Sequence, residues 1–136
     1  MNRSPIVADA SAVLAALMDS GRNGAWANAL LVRHAIAAPH HMPAEATSAL
    51  RKAVRVGTAS PEMAALALAE LHDLRIAYYP FGPFAERTWS LHPPVSSYDA
   101  WYVALAETLD APLVTLDHRL ANAHGLRCAV WTPATG

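Results

Sequence analysis

Cysteine is nearly missing from this chain. Cys128 stands alone, which excludes an internal disulfide and any multi-cysteine zinc site, and its setting in CAVW is that of a small buried hydrophobe. An excess of positive charge is missing too. The formal net charge is −1 and the pI about 6.6, against a domain that holds nucleic acid by bulk electrostatics. Any chemistry on nucleic acid must therefore be local, metal-assisted or helped by a partner. Lysine occurs only as Lys52, and planar arginines supply the other cations. No apolar run approaches the roughly 20 residues of a membrane helix, and Asp9 interrupts the first apolar stretch too early for a signal peptide. The expected setting is the cytoplasm, with no membrane association. What is abundant is hydrophobic surface: 54% of residues are hydrophobic and 15% charged, which excludes a disordered chain. There is no internal repeat, low-complexity segment or linker, so residues 1–136 read as one domain.

Short apolar runs at 6–8, 36–39, 75–79, 112–116 and 128–131 read as strands. Helical patterns lie between them at 12–18, 24–35 and 44–56. Ser60-Pro61-Glu62 supplies an N-cap, a proline for the first helical position and an early acid to a further helix. A short helix over 84–91 is stopped by Pro93-Pro94. The stretch 99–109, DAWYVALAETL, is apolar almost all round and predicts a buried central helix. Its neighbour APLVTLD lacks polar alternation, as a parallel strand covered on both faces would. Strands alternating with helices predict an α/β domain with a mainly parallel sheet.

On this layout Asp9 ends the first strand and Asp117 the fourth, while Glu45 and Asp99 fall in the first turns of helices. All four positions lie at the carboxyl edge of a doubly wound sheet, where such sheets place their ligands. Each acid also has a purely structural reading. Asp9 can cap the helix near Ser11, Glu45 can complement a helix dipole, Asp99 can complete a capping box with Ser96, and Asp117 can open the turn into HRLANA. The apolar setting of Asp9, IVADASAVL, has no basic residue nearby. Burying its charge calls for a partner, and a divalent cation shared with the other acids, Mg2+ or Mn2+, would serve.

The segments IVADASA, PAEATSAL, SSYDAWYVALAE and PLVTLDHRLA together resemble, in order and spacing, the sequence blocks of PIN domains, specifically the VapC-type toxins of bacterial toxin-antitoxin pairs. The resemblance covers nearly the whole chain. It implies a three-layer α/β/α fold with a five-stranded parallel sheet, and a magnesium site held by Asp9, Glu45, Asp99 and Asp117, with Ser11 and Thr115 beside it. It implies an endoribonuclease whose water nucleophile leaves a 5′-phosphate and a 3′-hydroxyl, a cognate VapB-type antitoxin as partner, and a homodimer. The alternatives are a non-catalytic RNA-binding or scaffold domain and a metal-independent ribonuclease built on His40 and His41. Adjacent histidines in a strand would point to opposite faces, which disfavours the latter. A phosphoacceptor receiver is disfavoured because Lys52 lies mid-helix. Arg51, Lys52 and Arg55 follow Glu45 on its helix and read either as a solvated face or as a phosphate guide. Trp26, Trp89, Trp101 and Trp131 read as core or interface anchors.

Overall fold

A computed structural model describes residues 3–91 and 95–135. The apolar run ahead of Asp9 forms β1 (Pro5–Ala8), whose Ile6, Val7 and Ala8 are wholly buried, as in a parallel strand covered on both faces. Two helices, α1 (Ala10–Met18) and α2 (Arg22–Arg33), lead to β2 (Ala35–Pro39). The chain continues through α3 (Met42–Val56), α4 (Pro61–Asp73) and β3 (Ile76–Tyr79). A 3-10 turn at Gly82–Phe84 runs into α5 (Ala85–Ser90), followed by α6 (Ser97–Leu109), β4 (Leu113–Val114), α7 (His118–Ala121) and β5 (Val130–Trp131).

All strand pairings are parallel, in the order β3-β2-β1-β4-β5. The order reverses between β1 and β4, so connections leave these two neighbours in opposite directions and open a crevice at their carboxyl ends. Helix α6 packs on β1, β2 and β4, with α5 beside it, while α1, α3 and α4 pack together and α2 packs on α1. The sheet is thus the middle of three layers. The apolar reading of α6 holds, since Ala100, Tyr102, Val103, Ala104, Leu105 and Ala106 are all buried. Where α1 and α2 meet, a Cβ on Gly24 would lie 1.7 Å from the Asp19 carbonyl oxygen, so no side chain fits there.

Several boundaries differ from expectation. β4 keeps only Leu113–Val114 of the stretch 112–116, and β5 only Val130–Trp131 of 128–131. Pro112 has no N–H for the ladder, and after Val114 the chain turns its polar groups toward the crevice. Asp9 and Asp117 therefore lie just past their strands, as the N-caps of α1 and α7. The helix expected over 24–35 stops at Arg33, because His34 is extended and Ala35 already pairs with Pro5. HRLANA opens with a single helical turn capped by Asp117, as the cap reading of that residue expects. Ser60 caps α4 as its sequence demands, its hydroxyl accepting from Met63 N at 3.1 Å. The Pro93-Pro94 stop lies outside the described residues.

One polar fork closes the carboxyl-terminal part of the chain. Arg87 donates from Nε and Nη2 to the two Glu107 oxygens at 2.8 and 3.0 Å, and from Nη2 to the Gly125 carbonyl at 2.7 Å. Glu107 also accepts from Arg127 N at 2.7 Å. Burial alone would raise the Glu107 pKa, but these bonds hold it below the ordinary 4.5. Glu107→Gln should cost about 2 kcal/mol at pH 7. A depressed folded-state pKa contributes stability above the unfolded value and loses it as pH falls through the folded value. Urea midpoints of wild type and variant, well separated at pH 7, should therefore converge below about pH 4.5.

Candidate active site

Asp9 is 9% exposed. Its Oδ1 accepts from Ala12 N at 3.0 Å and from the Ser11 hydroxyl at 2.6 Å, and its Oδ2 accepts from the Thr115 hydroxyl at 2.5 Å. The helix-cap reading of this residue is thus satisfied. Burial raises its pKa, the Ser11, Thr115 and Ala12 donors oppose that, and the Asp99 charge adds to it. The same hydroxyls also accept: Ser11 Oγ from Leu116 N at 3.0 Å and Thr115 Oγ1 from Asp117 N at 3.1 Å. They stitch the exit of β1 to the exit of β4.

Glu45, in the first turn of α3, accepts at Oε1 from the Tyr102 hydroxyl at 2.6 Å. His41 Nε2 is 3.1 Å from the same oxygen, yet neither ring nitrogen makes a bond of acceptable geometry and both are buried. Burial lowers the His41 pKa against the pull of Glu45 and Asp99, so the ring is neutral near pH 7 and the contact is no ion pair. Asp99 lies in the first turn of α6, where Ser96 Oγ accepts from its backbone N–H at 3.1 Å. Burial raises the Asp99 pKa, Ser96 lowers it, Glu45 and Asp117 raise it further, and Arg119 lowers it. Asp117 caps α7 through Arg119 N at 3.0 Å and meets the Arg119 guanidinium at 3.2 Å, which holds its pKa down. The Arg119 side chain is 92% exposed, so this pair is weak and exchangeable.

All four acids line one pocket of about 380 Å³ together with Ala10, Ser11, Tyr102 and Leu116. Asp99 is its electrostatic hub, because its charge raises Asp9 while Glu45 and Asp117 raise Asp99. Among the described residues no three His, Cys, Asp or Glu side chains converge on one ion position. Asp9 is held by hydroxyls, Glu45 by Tyr102 and Asp117 by Arg119. The donor set nevertheless fits a hard divalent cation: it consists of carboxylates, and burial and mutual repulsion in it call for positive charge.

Ser11 and Thr115 both donate to Asp9, and Ser11 lines the pocket. Arg51, Lys52 and Arg55 are exposed along α3 and share an open groove with Glu45. Among the described residues none of the three forms a salt bridge. His40 and His41 stand in the turn after β2 rather than in a strand; His40 is exposed and His41 is packed beside Glu45. Sequence reasoning missed Tyr102 and the placement of His41. The available signals were spacings: Tyr102 is three residues after Asp99, and His41 four before Glu45. Trp89 is 86% exposed and is no core anchor.

The PIN domain family matches residues 6–126. Ribonuclease VapC1 of Mycobacterium tuberculosis is 45% identical over 125 residues, covering 91% of this chain and 94% of its own length. The crystal structure of Mycobacterium tuberculosis VapC20, described as a sarcin-ricin loop cleaving toxin, superposes with a TM-score of 0.66 at 17% identity, covering 89% of this chain and 95% of that one. The crystal structure of VapBC2 from Rickettsia felis, bound to a DNA fragment from its promoter, gives 0.66 at 12% identity, with 96% and 99% covered. At those identities the solved structures speak for the fold.

The double role of Thr115 yields a test. Thr115→Val keeps the shape but leaves Asp9 Oδ2 without its donor and Asp117 N without its acceptor. Urea unfolding in EDTA should show a loss of about 2 kcal/mol; an unchanged midpoint would mean that the hydroxyl bridge holds nothing.

Proposed function

The chain belongs to the PIN domain family, and from that premise we propose that it is a metal-dependent endoribonuclease, the toxin of a type II toxin-antitoxin pair, folded as one domain over residues 1–136. The observation that carries this reading is the single pocket shared by Asp9, Glu45, Asp99 and Asp117 at the point where strand order reverses. The relative matched along nearly its whole length is named a ribonuclease. A non-catalytic scaffold would have no use for a buried Asp9 set beside a half-buried Asp99 that repels it.

The four acids would hold Mg2+, or Mn2+ in its place. When bound, the ion supplies a Lewis acid for a phosphate oxygen and a more acidic water. The protein's own contribution is placement. Asp9 is fixed by two hydroxyls and a helix N–H. Tyr102 holds Glu45 through Oε1, and no hydrogen bond among the described residues engages Oε2. Asp117, whose only side-chain partner among the described residues is the exposed Arg119, would be free to help hold the ion. Attack by water rather than by the 2′-hydroxyl leaves a 5′-phosphate and a 3′-hydroxyl. Arg51, Lys52 and Arg55 guide the RNA backbone along α3. A VapB-type antitoxin neutralises the protein, which acts as a homodimer in the cytoplasm. Among the described residues no helix is long and apolar enough to cross a membrane.

Asp99→Asn should reduce Mg2+-dependent RNA cleavage by roughly 100-fold or more. It should melt at the wild-type temperature or higher in EDTA, since it removes the charge that couples to the other three acids. At ten times its Kd, Mg2+ should stabilise the wild type by about 1.4 kcal/mol and the variant far less. Undiminished cleavage by Asp99→Asn would overturn the assignment. Replacing Arg51, Lys52 and Arg55 together by Ala should lower the salt slope of RNA binding by about 2 while keeping the Mg2+ response. An unchanged slope would return the three to a solvated helix face.

A further inference from the structure

Four aromatic rings from three segments meet on the flank of the acidic pocket. The His41 ring stacks on Trp101 with centroids 4.6 Å apart and planes 23° from parallel. Tyr98 lies 5.4 Å from His41, and Phe81, just after β3, meets Trp101 edge-on at 5.1 Å. The inner pair is shielded, whereas Phe81 is 44% and Tyr98 63% exposed. The cluster adjoins the acids directly: His41 is 3.1 Å from Glu45, and Tyr98 immediately precedes Asp99.

Stability does not account for this arrangement. Two large rings remain in water, and Trp101 Nε1 and both His41 nitrogens are buried without a hydrogen bond among the described residues. Unpaired buried polar atoms cost free energy, and departures from the rules of stable packing concentrate at functional sites.

We propose that Phe81 and Tyr98, backed by Trp101 and His41, form a base-stacking subsite that takes one unpaired nucleobase of RNA next to the bond being cut. This rests on the ribonuclease reading above. A neutral, flat base suits the position, because the neighbouring acids repel any phosphate not shared with a cation. Recognition of single-stranded RNA commonly rests on bases stacked on aromatic faces, and such contacts tolerate any base. The subsite therefore selects unpaired RNA over duplex without dictating a sequence. Its rings and the cations of α3 meet different parts of the substrate, the bases and the backbone.

The test uses the full chain in EDTA, where Mg2+-dependent cleavage is suppressed, with a labelled single-stranded oligoribonucleotide and an abasic oligoribonucleotide of the same length. Tyr98→Ala and Phe81→Ala should each bind the base-bearing probe about tenfold more weakly than wild type. Tyr98→Phe and Phe81→Tyr should restore binding, and all five proteins should bind the abasic probe alike. The subsite is overturned if wild type does not prefer the base-bearing probe, if the Ala variants lose nothing, if they lose as much on the abasic probe, or if the ring-conserving variants fail to restore binding. Sedimentation showing that the Ala variants change self-association while RNA affinity stays constant would assign the patch to a second copy of the chain instead. Cleavage with Mg2+ is assayed separately. A wild type that cuts no RNA refutes the ribonuclease reading, whereas one that cuts RNA beside unaffected Ala variants refutes the subsite alone.

Discussion

The buried carboxylate of Asp9 is the constraint on which the rest of the site depends. An anion at the end of a central strand, with no basic side chain beside it among the described residues, survives only if donors are brought to it. Ala12 N comes from its own helix and the Ser11 hydroxyl from two residues along, but the Thr115 hydroxyl arrives from 106 residues away. That contact exists only because β4 lies next to β1. Sheet order and local charge thus define one another. The same hydroxyl receives Asp117 N, so the bond that compensates Asp9 also sets the backbone of a second acid. The donors offset desolvation without neutralising the charge, and the pocket keeps a demand for a cation.

Much of this was legible along the chain because the signals are local. Ser60-Pro61 and Ser96 announce helix starts through caps that act within three residues, and the apolar runs of β1 and α6 declare burial on all sides. The four acids could be placed at the sheet edge from element order alone. The lengths of β4 and β5 could not, since a ladder stops where the partner strand turns away, and the partner is distant in sequence. Tyr102 and His41 escaped notice for a related reason. Tyr102 looks like one more apolar residue of a buried helix until Glu45, 57 residues earlier, meets its hydroxyl. His40 and His41 were weighed as a pair, whereas the turn after β2 separates them and gives only His41 to the pocket.

A net charge of −1 conceals a marked separation of charge. Acids gather in the crevice, and α3 carries Glu45 at its start and Arg51, Lys52 and Arg55 two to three turns on. One helix thereby carries an acidic start and a basic remainder, an arrangement that bulk composition averages to nothing. Arg119 is an exposed cation joined to Asp117, one of the pocket acids, by a contact that costs little to break.

The seam between β1 and β4 also bears on how the protein emerges from synthesis. β1 is made first and lies at the middle of the sheet, but its second neighbour is made more than a hundred residues later. Chain growth proceeds at roughly 5–20 residues per second, so Asp9 waits several seconds with its strand open on one side. A nascent chain ending before Thr115 carries Asp9, Glu45 and Asp99 yet lacks both the donor that secures the first and the whole of the fourth. Completion of the pocket is therefore a late event in translation, timed by the position of one short strand in the reading order.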